Sequence, residues 1–218
     1  ELLRIEITAT GLDNIPATGG FILAPTHPTG IADGVAIFDM LRERRQDLAI
    51  FANRDALRVS PRFGDVIIPV EWRTGEKTHA KSRDTLERTA QAFKSGKAVV
   101  LFPSGRIAYW NVDRLTERPW QPSLVALARR YEVPVVPVHV SARNSPMFYL
   151  MSRAGNELRD MTVFRELLNK KGMSFRMTVG KPILHERLAG DASAVTQQLQ
   201  DFTVERLVAD PQAEFTIA

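Results

Sequence analysis

Cysteine is absent from the 218 residues, which excludes disulfide frameworks, thiolate metal sites and cysteine nucleophiles from the outset. That absence permits a reducing compartment without requiring one. No apolar run reaches the roughly 18 residues that a membrane-crossing helix needs; the longest near-apolar stretches are VPVVPVHV (133–140) and PMFYLM (146–151). The chain opens at Glu1 rather than at a methionine, which is compatible with an upstream segment outside these residues. A Gly-x-Ser-x-Gly elbow, a P-loop and a dinucleotide fingerprint are all missing, which argues against an ordinary α/β-hydrolase and the common nucleotide binders. His79, His139 and His185 are scattered without helical His/Glu spacing, so no metal site is expected.

Apolar residues make up 44% and charged residues 25%, enough to build one substantial core. The net charge of +4 and a pI near 9.6 suit an acidic partner such as an anionic membrane surface, an acidic carrier protein or nucleic acid. Interspersed acids and core-like aromatics argue against nucleic acid. Short β-rich runs alternate with segments of helical period, which predicts a single α/β domain over 1–218 with a mostly parallel, mixed central sheet flanked by helices. The expected strands are LRIEITATGL, GFILAP, DLAIFAN, DVIIPVEW, KAVV before LFPSGR, VPVVPVHVS and MSFRMTVGKPI. Ile31, Val35, Phe38 and Leu41 recur at helical spacing, as do Leu86, Ala90 and Phe93 ahead of a stop at Gly96. PSLVALARRYE reads as a short helix and 192–208, with Val195, Leu199, Phe202 and Leu207, as a closing amphipathic one.

Two strand-to-loop junctions carry unusual polar chemistry: LAPTHPTGIADG and LFPSGR. Ligands of open α/β sheets collect at the carboxyl ends of strands, so both loops are expected to face one crevice. A neutral imidazole is a natural general base near pH 7, and a carboxylate on its other nitrogen fixes the tautomer. Pro28 pushes His27 into extended backbone, and Gly30 gives the loop room to fold Asp33 back. The plainer reading leaves Asp33 complementing a helix N-terminus and His27 as a turn residue.

In this company THPTGIADG resembles the first motif of the PlsC-like lysophosphatidic acid acyltransferase family, a His and an Asp after a hydrophobic strand. GDVIIPVEWR resembles the second motif, VLFPSGR the third and VPVVPVHV the fourth, in the family's order; GLDNIP resembles the turn that often precedes the first. The resemblance runs from about residue 5 to residue 185. Two departures stand out. Five residues separate His27 from Asp33 where the family has four, and Ser104 stands where the third motif usually has a Glu that helps hold the acceptor. With RELLNKKGMSFRMTVGKPI, these spellings look most like the branch of hemolysin-like proteins and ornithine lipid O-acyltransferases.

The resemblance implies a glycerolipid acyltransferase-like fold and an enzyme that moves a fatty acyl group from an acyl thioester, on acyl carrier protein or coenzyme A, to the hydroxyl of a lysolipid such as lyso-ornithine lipid. His27 would be the general base and Asp33 its orienting partner. Arg73, Ser104, Gly105, Arg106, Thr29 and Gly30 would bind substrate, with the two arginines on an anionic head group or phosphate. No bound cofactor is implied, and the expected location is the cytoplasmic side of the inner membrane, peripherally attached. SPMFYLMSR (145–153) is expected to line an acyl groove, dip into the interface or simply be core, and the basic RERR and NKK to meet anionic lipid or form solvated helix ends. The alternatives are a 1-acylglycerol-3-phosphate acyltransferase, a catalytically silent lipid binder of the same fold, or a Ser104 nucleophile served by His27.

Overall fold

FILAP has no polar residue to place on a solvent face, and a strand of that kind is stable only where both faces are covered. It is buried along its whole length in the computed structural model, which describes residues 5–58, 60–71, 73–155, 162–163 and 165–217. In chain order the strands are β1 (Glu6–Thr10), β2 (Phe21–Pro25), β3 (Leu48–Asn53), β4 (Ile67–Val70), β5 (Ala98–Val100), β6 (Tyr109–Asn111), β7 (Arg114–Thr116), β8 (Val135–Ser141) and β9 (Ser174–Val179). The helices are α1 (Ile31–Leu41), α2 (His79–Lys94), α3 (Ser123–Tyr131), α4 (Pro146–Ala154) and α5 (Ala192–Asp201). Seven strands form one sheet in the order β1-β9-β8-β2-β5-β3-β4, and β6 pairs with β7 as a separate hairpin.

Pairing in the large sheet is parallel throughout except between β8 and β9. Five strands therefore run one way and β1 and β9 the other, the mostly parallel mixed sheet expected from the alternation. Side chains of β2 divide between two cores: Phe21 and Leu23 join Ala36, Ile37, Met40 and Leu41 of α1, while Ile22 and Ala24 join Leu124, Val125 and Ala128 of α3 and Val195 and Leu199 of α5. The carboxyl ends of β2, β5, β8, β3 and β4 consequently open along one edge, where His27, Ser104 and Arg73 follow their strands.

The structure corrects several sequence expectations. The stripe Ile31, Val35, Phe38, Leu41 is not the buried face of α1, since Ile31 and Phe38 are 40% and 44% exposed. The buried set is Ala32, Asp33, Ala36, Ile37, Met40 and Leu41; turning Asp33 inward carries the positions three, four and seven residues on inward with it. Leu86 is exposed because the first half of α2 runs along the β4 edge, where Thr85 donates to the Pro69 carbonyl at 2.5 Å and Arg54 pairs with Asp84 at 2.8 Å. In DVIIPVEW only Ile67–Val70 is strand, Asp65 belongs to a preceding 3-10 turn, and Trp72 lies outside the described residues. The closing helix is α-helical to Asp201 and continues as a wider turn over Phe202–Arg206.

Neither basic stretch is free for lipid as a block. Arg45 of RERR is buried: it holds both Asp47 carboxylate oxygens at 2.7 and 2.8 Å and the carbonyls of Pro16, Gly19 and Gly96 at 2.9–3.0 Å. Lys170 of NKK is fully buried and bonded to Glu166 at 3.0 Å; Glu166 in turn accepts from the Ser145 amide and hydroxyl at the start of α4. SPMFYLMSR divides: Phe148 is core and Leu150 is 62% exposed.

Candidate active site

The strand β2 ends at Pro25, and Thr26 extends its pairing to β8 through its amide on the Val138 carbonyl (3.0 Å) and its hydroxyl under the Val140 amide (2.9 Å). That anchors the next residue, His27, at the open edge. Its Nδ1 lies 3.0 Å from Asp33 Oδ2, so the extra residue in the spacing does not keep the pair apart. Asp33 is fully buried and accepts three further hydrogen bonds: the Thr29 amide at 2.8 Å, the Gly30 amide at 2.9 Å and the Thr29 hydroxyl at 2.5 Å. A carboxylate, which only accepts, satisfies all four donors. With Nδ1–H donating to Asp33, Nε2 keeps its lone pair for a substrate proton.

Gly30 has φ +89, and a Cβ there would stand 2.6 Å from Ile107 Cδ1, so the loop that folds Asp33 back needs glycine twice over. Ile107 belongs to the segment after β5, and Ala108 donates its amide to the His27 carbonyl at 2.8 Å. The Phe102 ring packs 4.2 Å from the His27 ring. The two junctions singled out in the sequence thus form one wall. Ser104 is buried; its hydroxyl donates to the Arg106 carbonyl at 2.9 Å, and its side chain faces Glu117. Gly105, at φ +61, closes a turn with its amide on the Phe102 carbonyl at 3.0 Å.

Glu117, just after the β6–β7 hairpin, was not foreseen from the sequence. Both its carboxylate oxygens accept the His27 amide, at 3.1 and 3.2 Å, and one accepts Trp120 Nε1–H at 3.4 Å. Burial pushes its carboxyl above the usual range, against the pull of the His27 amide, the Ser104 side chain, the charge of His27 and Trp120. An acid thus lies behind His27 although position 104 carries a serine. Asn144 was also missed: it is buried, donates from Nδ2 to the Thr29 carbonyl at 3.4 Å, and its Oδ1 has no partner among the described residues.

The acyltransferase family pattern matches residues 6–141. The chain belongs to the acyltransferase family. Lyso-glycine lipid O-acyltransferases of Phocaeicola vulgatus and Bacteroides thetaiotaomicron are 26% and 23% identical to it over 189 residues, 84% of this chain. The chain spans about two thirds of the length of these relatives, 66% and 68%. The crystal structure of the 1-acyl-sn-glycerophosphate acyltransferase PlsC from Thermotoga maritima matches with a TM-score of 0.60 at 13% identity, covering 99% of this chain and 76% of that one. This likeness shows a shared fold.

Within this acyltransferase the remaining expected residues fall into two groups. Thr29, Gly30, Ser104 and Gly105 stand at the site, but the polar groups of Thr29 and the amides of Gly30 and Gly105 are spent on the protein itself. Arg106 is exposed at the same wall and carries no ion pair among the described residues. Arg73 is not brought to His27: it follows β4, three strands from β2, or about 14 Å across the sheet. Its guanidinium is held by Asp55 at 2.9 Å and Glu76 at 3.0 Å, which together raise its pKa. Among the described residues no three His, Asp or Glu side chains converge as metal ligands would, and no helix is long and apolar enough to cross a membrane.

Proposed function

We propose that this acyltransferase moves a fatty acyl group from an acyl thioester, on acyl carrier protein or coenzyme A, to the hydroxyl of a lysolipid with an amino-acid head group, glycine or ornithine. The observation that carries the reading is the 3.0 Å contact of His27 Nδ1 with the buried Asp33, which leaves Nε2 at the open edge of the sheet. His27 Nε2 takes the hydroxyl proton as the acceptor oxygen attacks the thioester carbonyl. The C–S bond then breaks, and the imidazolium returns the proton to the departing thiolate. Asp33 holds the ring and balances its charge in between. The amides of Thr29, Gly30, Asp33 and Gly105 are occupied, and the N–H groups of Ile31 and Ala32 at the start of α1 are the ones assigned to the oxyanion.

An amino-acid head group linked through its amine presents a carboxylate, which a guanidinium engages with two parallel bonds. Arg106, exposed and without an ion pair among the described residues, suits that task better than Arg73, whose guanidinium is already taken. The names of the lyso-glycine lipid relatives support glycine, and the spelling of the motifs supports ornithine. Work on a lipid substrate also calls for peripheral attachment to an anionic membrane, at the cytoplasmic side of the inner membrane. The exposed Val112 and Leu150 support the attachment.

The test is transfer of a labelled acyl group from acyl carrier protein and from coenzyme A to lyso-glycine lipid, lyso-ornithine lipid and lysophosphatidic acid, with His27→Ala beside the wild type. Transfer to an amino-acid lysolipid that vanishes in the variant supports the reading. Transfer to lysophosphatidic acid alone makes the protein a 1-acylglycerol-3-phosphate acyltransferase. No transfer by folded protein leaves a lipid binder, and equal transfer by both overturns His27 as the base.

A further inference from the structure

Burying a carboxylate is costly unless its charge is used, and an amide in the same place accepts N–H bonds at a lower desolvation cost. Glu117 nevertheless lies largely enclosed, with both oxygens on the main-chain amide of His27 and further contacts to Trp120 Nε1 and the Ser104 side chain. Its bonds join the loop after β2 to the segment leading to α3, and the Ser104 side chain of the loop after β5 faces it. The groups facing it are His27, Ser104 and Trp120. Asp33 occupies the ring nitrogen Nδ1 from α1, and Glu117 grips the backbone of the same residue from the hairpin side.

We propose that Glu117 is a positioning residue of the transfer reaction: it clamps the His27 main chain to the segment between the hairpin and α3 and supplies a second negative charge beside the imidazolium that forms when His27 takes the acceptor proton. The inference rests on the acyl-transfer reading for its catalytic half and on geometry alone for the clamp. Displacing a base by a fraction of an ångström and removing a fixed countercharge each slow a reaction step without weakening substrate binding.

Glu117→Gln and Glu117→Ala, compared with wild type, separate the two halves. In E117Q the amide oxygen still accepts the His27 N–H, so hydrogen exchange over residues 26–30 stays slow and KM stays within about twofold, while kcat falls about tenfold to a hundredfold. In E117A exchange over 26–30 quickens at least about tenfold and kcat falls further. Unchanged kcat in E117Q overturns the charge role. Unchanged exchange in E117A overturns the clamp; if E117A does not fold, quickened exchange in E117Q with normal kcat overturns the proposal as a whole. A wild-type protein that transfers nothing removes the acyl-transfer reading and the catalytic half with it, and the exchange measurement then decides the clamp by itself.

Discussion

Asp33 shows how far one side chain governs its surroundings. Four donors converge on it, and three of them belong to Thr29 and Gly30, residues of its own loop. Asp33→Asn replaces one acceptor oxygen by a donor, so at least one of these bonds becomes a clash of N–H groups and the ring loses its countercharge. The expected result is a loss of kcat of about a hundredfold or more, together with about 1–3 kcal/mol of stability from the unpaired donors. Steady-state kinetics and chemical denaturation check the two effects separately. Gly30→Ala places a methyl against Ile107 in left-handed backbone; a loss of about 1–3 kcal/mol is expected, partly recovered by adding Ile107→Val. Full additivity of the two substitutions contradicts the close approach.

His139 gives the residue scale a pH dependence. It sits in β8 inside the sheet, and burial lowers its pKa from 6.5 to about 4. Between those values the unfolded chain binds the proton and the folded one does not, so stability rises with pH there. Its contribution is complete above about pH 6.5 and is lost as the pH falls towards 4, a change of ~3 kcal/mol. Glu117 acts in the opposite sense, because its raised pKa favours the protonated folded form and that stability is lost as pH rises through the folded value. Denaturation curves of wild type and His139→Gln between pH 4 and 7 should converge at the acid end. Parallel curves across that range contradict a buried neutral His139.

At the scale of elements, α1 shows what sequence periodicity does and does not carry. Its existence and ends were legible, since apolar residues recur at helical spacing after a glycine. Its rotation was not: the hydrophobic stripe names Ile31 and Phe38, and the helix instead buries the face that begins at Asp33. A polar residue with a tertiary partner overrode the apolar pattern. Ile37→Ala should therefore cost about 2–4 kcal/mol and Phe38→Ala under about 1 kcal/mol, an order that the sequence alone reverses. The β6–β7 hairpin was illegible for a different reason. Its turn, NVDR, has no glycine, and Val112 adopts φ +53 there, where a β-branched residue is seldom found. Missing the hairpin meant missing Glu117, because nothing in RLTERPW marks its acid as inward-facing. The first and third motifs were readable as a single wall because both end strands that a parallel sheet must open on the same edge. Arg73 satisfied the same rule and still stands apart, since strand order, which sequence does not reveal, puts β3 between β5 and β4.

For the whole molecule, the lipid substrate proposed above calls for contact with a membrane that none of the described helices crosses. The hairpin and α4 pack together beside the site, with Trp110 and Tyr149 rings 5.5 Å apart and the Tyr149 hydroxyl under the Asn144 amide at 3.0 Å. Each carries a large apolar side chain into solvent, Val112 at 86% exposure and Leu150 at 62%, and Arg106, Arg114, Arg143 and Arg153 are exposed nearby in sequence. Valine in left-handed backbone costs about 1–2 kcal/mol relative to glycine, and peripheral membrane attachment, as proposed above, would give the exposed side chain an apolar surface to meet. Val112→Gly with Leu150→Ser should leave the melting temperature unchanged or higher. Partition onto phosphatidylglycerol-containing vesicles should weaken by about tenfold or more, each side chain contributing about 1 kcal/mol or more of burial. High salt should weaken wild-type partition as well, through the arginines, at about 1 kcal/mol per charge brought near the surface. Sedimentation with vesicles at low and high salt measures both; partition that ignores the double substitution assigns membrane contact to some other face and leaves the strained valine without a physical reason.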